Sequence, residues 1–227
     1  MNAATATSTA LTPEIIIRRN LQHFNEHART YDKGCVAANW TGPQTLTQRL
    51  NFYTDLTRPG LKGLDITTGT GAQAFEIKRL NPDAYIVGHD GAAEMLNVAL
   101  EKGAIDEAIH LTLQDFSKIV LPKRAFNIVT FTGGADFTQE LEPIIDTVTR
   151  YVQPGAAFGL TYEPVGNPFP GAKNNFRHDP ERLHETFKRH GWRVHEDQSL
   201  TLWQKGREGG PRTPVSNNIL IATYELA

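Results

Sequence analysis

The sequence predicts an α/β fold: a doubly wound sheet of five parallel strands that ends in an antiparallel hairpin, preceded by a helical cap. Three observations carry this. From Gly63 onward, short apolar runs alternate with amphipathic helical stretches, which is the pattern of βαβ units. The last two apolar runs have no helix between them. The segments before Pro59-Gly60 repeat their apolar residues at helical spacing.

The elements follow in order. Residues 1–11 are rich in Ala, Thr and Ser and read as a tail, and residues 12–227 read as one domain. Within it, 12–60 is the cap and 61–227 the core. Thr12 can cap a helix, Pro13 suits its first turn, and Ile16, Ile17, Leu21 and Phe24 form a stripe that runs out near Gly34. A second helix is expected from Pro43 to Leu56, with Leu46, Leu50 and Tyr53 on one face. Parallel strands are expected at Gly63–Ile66, Tyr85–Gly88, Ile109–Leu113, Asn127–Phe131 and Ala157–Thr161. The intervening and following helices are expected at Gly71–Leu80, Ala92–Glu101, Glu140–Val152 and Pro180–His190. The hairpin is expected from Arg193–Gln204 and Asn217–Leu226, joined by the Gly/Pro-rich link Lys205–Pro214.

Composition narrows the function. Of 227 residues, 39% are hydrophobic and 21% charged, which is ordinary for a globular protein and argues against a disordered chain. A net charge of −2 offers no electrostatic footprint for nucleic acid or an acidic membrane. The single cysteine, Cys35, excludes an internal disulfide. No apolar run is long enough to span a bilayer, and the first residues lack the charge and apolar stretch of a signal peptide. A cytoplasmic protein with a small-molecule partner, as monomer or homodimer, is expected. His23 and His27 lie four apart on a helix, but no third ligand completes a metal site at useful spacing.

The most informative stretch is Leu64-Asp65-Ile66-Thr67-Thr68-Gly69-Thr70-Gly71. A strand ends in an acid, and a Gly-x-Gly turn then opens a helix whose free N–H groups suit a ligand. A plain strand-to-helix turn has the same appearance. Asp90 ends the next strand, where a carboxylate can accept both hydroxyls of a ribose; it equally suits the cap of the following helix. Gly69-x-Gly71-x-x-Ala74 also matches the dinucleotide fingerprint. Asp65 argues against that ligand, because a carboxylate beside a pyrophosphate is unfavourable. It suits a ligand with a cationic amine.

These residues resemble a known family, the class I S-adenosylmethionine-dependent methyltransferases, over roughly Tyr31 to the C-terminus. The resemblance rests on Leu64 to Gly71, on Gly88-His89-Asp90-Gly91-Ala92-Ala93-Glu94-Met95-Leu96, on Phe126-Asn127-Ile128-Val129 and on Pro154-Gly155-Ala156. Tyr31-Asp32 and Met95-Leu96 are similar to small methyltransferase-like proteins of the Williams–Beuren region type. The resemblance implies a Rossmann-like seven-stranded sheet, S-adenosylmethionine as cofactor and S-adenosylhomocysteine as product. Asp65 would hold the methionine amine, often through water. Gly69 and Gly71 would line the methionine and sulfonium, with Thr67 in place of a family glycine and its hydroxyl still able to meet the ligand. Asp90 would take the ribose, Gly91 and Met95 would border the adenine, and Asp115 and Phe116 would lie beyond it. Tyr31 would close over the methionine end, and Thr132 would join the cofactor site from the turn after the fourth strand.

The acceptor site is expected from the entry segment, that turn and the two irregular stretches. Its candidates are His27, Trp40, Gly134, Asn167, Phe169, Arg177 and Trp203. Glu163 and His178 are the candidate catalytic pair, Glu163 as base or as partner of a cationic acceptor. Trp40 reads equally as core packing, and His178 as a residue approaching the Asp179-Pro180 helix start. The leading function is O- or N-methylation of a small metabolite by in-line displacement. The alternative is a fold that keeps the cofactor for non-methylating chemistry of cyclase, pericyclase or lyase type. A nicotinamide-dependent oxidoreductase and a non-catalytic interaction protein are the remaining readings.

Overall fold

A computed structural model describes residues 12–167, 176–206 and 211–225. The chain runs through α1 (Pro13–Ala37), α2 (Gly42–Tyr53), β1 (Lys62–Ile66), α3 (Ala72–Leu80), β2 (Tyr85–Asp90), α4 (Ala93–Glu101) and β3 (Glu107–His110). It continues through β4 (Phe126–Phe131), α5 (Glu142–Thr149), β5 (Val152–Tyr162), α6 (Pro180–Arg189), β6 (Trp192–Lys205) and β7 (Thr213–Tyr224). Short 3₁₀ turns occupy Leu113–Lys118 and Ala135–Phe137. The sheet has seven strands in the order β3-β2-β1-β4-β5-β7-β6. The first five are parallel, and β7 runs antiparallel to both β5 and β6. This is the Rossmann-like seven-stranded arrangement.

The strands β1, β2, β4 and β5 are buried on both faces, so their side chains alternate between two cores. Leu64, Val87, Val129, Phe158 and Leu220 pack on one side with Ile144 and Val148 of α5 and Phe187 of α6. Ile86, Ile128, Ala157, Ile219 and Ile221 pack on the other with Leu46 and Leu50 of α2, Ile77 of α3 and Leu96 of α4. Helix α2 thus forms part of the helical layer on the sheet. Helix α1 lies elsewhere: Leu21, Phe24 and Ala28 pack against Ala92, Met95 and Val98, bringing it over the ends of β1 and β2.

Several boundaries differ from the sequence expectation. The third strand ends at His110, and Leu113 enters a 3₁₀ turn in place of extending the strand to 113. It pairs only with β2, and an edge strand without a second partner has little to hold its end. Strand β5 begins at Val152, five residues before the apolar run that marked it. Its start lies beyond a register shift against β4, between Phe126 and Ile128. Strand β7 begins at Thr213 and includes Pro214. Over that stretch β7 pairs only with β6, because pairing with β5 ends at Asn218. Pro214, which lacks an N–H, thus sits where β7 has a single neighbour, opposite Gln204 of β6.

Candidate functional site

Strand order reverses between β1 and β4, and ligand clefts in doubly wound sheets open at the carboxyl ends of the strands at such a point. A cleft open to solvent lies there. Its floor is the turn after β1. Thr67, Gly69 and Gly71 all have left-handed backbone, with φ of 53°, 55° and 85°. That conformation is natural for glycine and strained for a β-branched residue. The turn is held from three sides. The Thr68 N–H donates to the His89 carbonyl at 2.9 Å, and the Gly71 N–H to the Thr68 carbonyl at 2.9 Å. The Gly69 N–H donates to Asp90 Oδ2 at 2.9 Å.

Asp90 ends β2 facing this turn. Its other oxygen, Oδ1, accepts the Ala92 N–H at 2.8 Å, so both the helix-cap and the cleft-lining readings of this residue are realised at once. Burial raises its carboxyl pKa, while the backbone donors from Ala92, Gly69 and Gly91 oppose that shift. Two accepted bonds leave lone pairs on both oxygens for further donors.

Asp65 takes a different position from the one expected. It is fully buried beneath the turn, with Oδ1 accepting Thr130 Oγ1 at 2.7 Å and Oδ2 accepting Thr68 Oγ1 at 2.9 Å. It is absent from the cleft wall. Burial pushes its pKa up to about 7. Its role here is to hold the turn, because its carboxylate joins Thr130, its register partner on β4, to Thr68 of the turn. Gly71 is likewise behind the wall. A Cβ there would come within 2.5 Å of Ala104 Cβ, so this glycine serves close packing of the turn on the α4–β3 link.

The second wall is the turn after β4. Thr132, Gly133 and Gly134 line the cleft, and Thr132 Oγ1 donates to Gln73 Oε1 at 3.0 Å. Gln73 Nε2 in turn donates to Thr47 Oγ1 at 2.7 Å, fixing which way the Gln73 amide faces. A Cβ on Gly134 would lie 2.0 Å from Thr67 Oγ1 and 2.5 Å from Thr67 Cβ. The Thr67 side chain therefore occupies the space that any larger residue at 134 would need. Gly133, with φ 73°, faces the Trp40 ring.

The roof is α1. Ile17, Leu21, Phe24 and Tyr31 project from one face of it into the cleft. Phe24 sits edge-to-face against Phe137 at 5.5 Å and against Tyr31 at 6.0 Å, linking the helix to the post-β4 turn. Burial, with Cys35 beside it, raises the Tyr31 hydroxyl pKa and keeps it protonated. Asp32 anchors the helix: it accepts Thr70 Oγ1 and Lys102 Nζ, and the same ammonium donates to the Thr70 carbonyl at 2.8 Å.

Of the residues singled out from the sequence, Tyr31, Trp40, Thr67, Gly69, Asp90, Gly91, Met95, Thr132 and Gly134 meet at this cleft. Others do not. Asp115 points outward to Lys118 and Thr112, and Phe116 is buried edge-on against His89. The neighbouring Leu113 and Gln114 line the cleft in their place, because the 3₁₀ turn rotates the segment. His27 is exposed on α1 and bonds the His23 carbonyl at 2.9 Å. Trp203 packs with the α2-side core, and Asn167 Nδ2 donates to the Ser216 carbonyl at 2.7 Å. Phe169 lies outside the described residues.

The expected catalytic pair also lies off the cleft. Glu163 is fully buried and paired with Arg177 Nε at 2.6 Å, and its N–H donates to Asp136 Oδ1. His178 Nε2 lies 3.1 Å from the Ala135 carbonyl, and the His178 N–H donates to the Glu163 carbonyl. A parallel bridge between Pro164 and His178 folds this segment back on itself. The group clamps the post-β5 segment to the post-β4 turn. Burial raises the pKa of Asp136 to about 7 and lowers that of His178.

Sequence reading missed Asn20, Gln73 and Gln114 on the wall, and Lys102 as an anchor of the roof. Ile17, Leu21 and Phe24 were visible as a helical stripe, whose periodicity cannot distinguish a core face from a cleft face.

Comparison with known proteins follows the same residues. Residues 64–155 match the methyltransferase domain family. The demethylmenaquinone methyltransferase of Deinococcus radiodurans is 39% identical over 83 residues, 34% of each chain. The matches span 28–34% of the length of the first three curated relatives. Magnesium protoporphyrin IX methyltransferase from Synechocystis, solved with bound S-adenosylmethionine, superposes with a TM-score of 0.64 at 16% identity, covering 96% of this chain and 100% of that one. The [4+2]-cyclase SpnF superposes with a TM-score of 0.68 at 14% identity, covering 96% and 98%. At such identities the structural likeness speaks for the fold. Residues 64–155, the stretch that resembles the methyltransferase domain family, are thus the same stretch that supplies the glycine turn, Asp90 and the post-β4 turn.

Proposed function

We propose that the chain is a methyltransferase that binds S-adenosylmethionine in this cleft and alkylates a small-molecule acceptor beside it. The observation that carries this reading is the Asp90 carboxylate, held by two backbone N–H groups next to a turn with left-handed Thr67 and Gly69. The residues present fit the cofactor. Asp90 keeps lone pairs for the two hydroxyls of a ribose. Met95, Leu113 and Gln114 offer an apolar slot with an amide for a base, and Gly69 lets a ligand approach the backbone. The lining continues past these residues to Phe24, Trp40 and Phe137, which leaves a second, apolar stretch of wall beside the cofactor.

When bound, S-adenosylmethionine supplies a methyl group on a sulfonium: an acceptor lone pair forms the new bond, the carbon–sulfur bond breaks with its electrons left on sulfur, and the acceptor proton passes to solvent. The protein's part is orientation and exclusion of water. The roof of Phe24, Tyr31 and Phe137 closes the cleft from above, and Asp32 and Lys102 tie it to the floor. Tyr31, kept protonated, serves as a hydrogen-bond donor. Tyr31-Asp32 and Met95-Leu96 support a small methyltransferase-like type within the family, akin to the Williams–Beuren region proteins. A soluble cytoplasmic enzyme, monomeric or homodimeric, accords with this reading, and no helix among the described residues is long and apolar enough to cross a membrane.

The test is release of S-adenosylhomocysteine from S-adenosylmethionine in the presence of a fractionated metabolite extract. Release that depends on one fraction and is lost in Asp90→Asn supports methyl transfer. Binding of the cofactor with the methyl never leaving sulfur, while a fraction is nevertheless transformed, supports the non-methylating alternative.

A further inference from the structure

The cleft has two chemically different ends. Toward β2 it presents Asp90, the Gly91 backbone and Gln114. Toward β4 and the roof it presents Ile17, Phe24, Trp40, Pro43 and Phe137. Three of these are aromatic, and they come from three separate segments: α1, the α1–α2 link and the post-β4 turn. Such convergence is not a by-product of one helix stripe. Phe24 and Phe137 already meet edge-to-face at 5.5 Å. Across from them Trp40 rests on Gly133, whose lack of a side chain keeps that ring face against backbone. All three aromatic residues are only half-buried, so ring surface is left for a ligand.

Charge is distributed as unevenly as ring surface. Among the described residues lining the cleft, Asp90 is the one with a formal charge, and it faces the end that suits a ribose. The ionic groups flanking the aromatic end in sequence are not on its wall: Arg18, Arg19, His23 and Glu26 are exposed on α1. Asp136 accepts the Glu163 N–H, and Glu163 pairs with Arg177 on the far side of the post-β4 turn. Asp32 is taken by Thr70 and Lys102. An anionic or strongly hydrated primary ammonium acceptor entering the aromatic end would lose its hydration without an opposite charge to replace it. A neutral ring system would gain both apolar burial and edge or face contacts with three rings. The Asn20 amide, one helical turn before Phe24, supplies a polar contact on the same face.

We propose that the acceptor is an uncharged, flat, largely apolar ring compound seated against Phe24, Trp40 and Phe137. This rests on the methyltransferase reading for which end of the cleft is left to the acceptor. It excludes phosphorylated and carboxylate acceptors as preferred ligands.

The probes are three compounds with one ring system: 2-naphthol, 2-naphthoate and 2-naphthylmethylammonium, titrated calorimetrically at pH 7 with and without S-adenosylhomocysteine. The expected result is binding of 2-naphthol at least about tenfold tighter than either charged probe, since an unpaired charge at this end costs at least the ~1.4 kcal/mol that a tenfold difference represents. Phe137→Leu, which keeps volume and apolarity, should weaken 2-naphthol by about threefold or more, and Trp40→Ala by about tenfold or more. A melting temperature near that of wild type in Phe137→Leu shows that the fold is intact. Equal or tighter binding of a charged probe, no binding of 2-naphthol, or 2-naphthol binding unaffected by both substitutions overturns the proposal. Binding of S-adenosylhomocysteine is read separately. If it binds and the charged probes win, the acceptor class falls and the methyltransferase reading stands. If it fails while 2-naphthol binds as described, the methyltransferase reading falls and the aromatic ligand site stands.

Discussion

Replacing Gly134 by alanine should be one of the more damaging single-methyl changes in this chain, and a second substitution should reverse it. The alanine Cβ would lie 2.0, 2.5 and 2.7 Å from Oγ1, Cβ and Cγ2 of Thr67. Gly134 itself has φ −124°, which any residue adopts, so the cost comes from Thr67 and not from the backbone at 134. Thr67 cannot yield easily. Its φ is 53° and its hydroxyl donates to the Ile66 carbonyl at 2.6 Å. Overpacking a tight site costs about 1–3 kcal/mol, and three atoms inside contact distance place this case near the upper end. For a domain of this size that is a fall in Tm of about 6–12 °C. Thr67→Gly alone should be close to neutral. It relieves about 1–2 kcal/mol of left-handed strain and incurs about 0.5–1 kcal/mol of added chain entropy. In the double variant the clash is gone, so the two changes should couple by about 2 kcal/mol, within the range seen for contacting residues. Urea and thermal melts of the four proteins measure this. If Gly134→Ala costs the same in the Thr67→Gly background as in the wild type, to within about 0.5 kcal/mol, the interlock of the two turns is refuted.

Further outcomes follow from the buried charges and the roof. Folded Asp65 and Asp136 keep their protons to about pH 7, above the ordinary carboxylate value of 3.8, so the native state binds more protons than the unfolded state in that window. Stability should therefore fall as pH rises from about 4 to 7, and Asp65→Asn should flatten that slope in urea melts at pH 5 and 7.5. Arg177→Met leaves the fully buried Glu163 without its cation at 2.6 Å. Allowing for the third of Arg177 that is solvent-exposed, the loss should be about 2–3 kcal/mol by chemical denaturation, with S-adenosylhomocysteine affinity changed less than about twofold. A large loss of cofactor affinity in that variant would return this pair to the binding site. Lys102→Met removes the link between α1 and the glycine turn, and should weaken S-adenosylhomocysteine about three- to tenfold through a faster off-rate in stopped-flow traces.

Much of this architecture was legible in the sequence because strands buried on both faces are marked by continuous apolar runs, and βαβ units by regular alternation. The glycine turn and Asp90 were legible for a chemical reason: left-handed backbone and a strand-end carboxylate need particular residues at particular spacing. Thr67 shows the limit of that reasoning. Its identity departs from glycine while its φ of 53° does not, and the accommodation lies in Gly134, 67 positions away, which no local pattern links to it. Glu163 and His178 lie off the cleft where they were expected, for a related reason. A strand-end acid followed by a histidine suggests a site, but the Pro164–His178 bridge holds both groups in a clamp between the post-β5 segment and the post-β4 turn. Asp115 and Phe116 were expected beyond the adenine on the resemblance; with β3 ending at His110, Leu113 and Gln114 line the cleft there instead. Helical periodicity revealed the stripe of Ile17, Leu21 and Phe24 but not what it covers.

The central claim is that Asp90 and the turn beside it hold the ribose of a sulfonium cofactor. Calorimetric titration of the wild type and Asp90→Asn with S-adenosylmethionine, S-adenosylhomocysteine and NAD tests it most directly. The account predicts micromolar binding of both sulfur ligands and none of NAD. In Asp90→Asn the loss should be about 10- to 100-fold, as expected for hydrogen bonds of about 1.5–3 kcal/mol to a charged acceptor. Binding of NAD in their place, or sulfur-ligand affinity unchanged in Asp90→Asn, would contradict it.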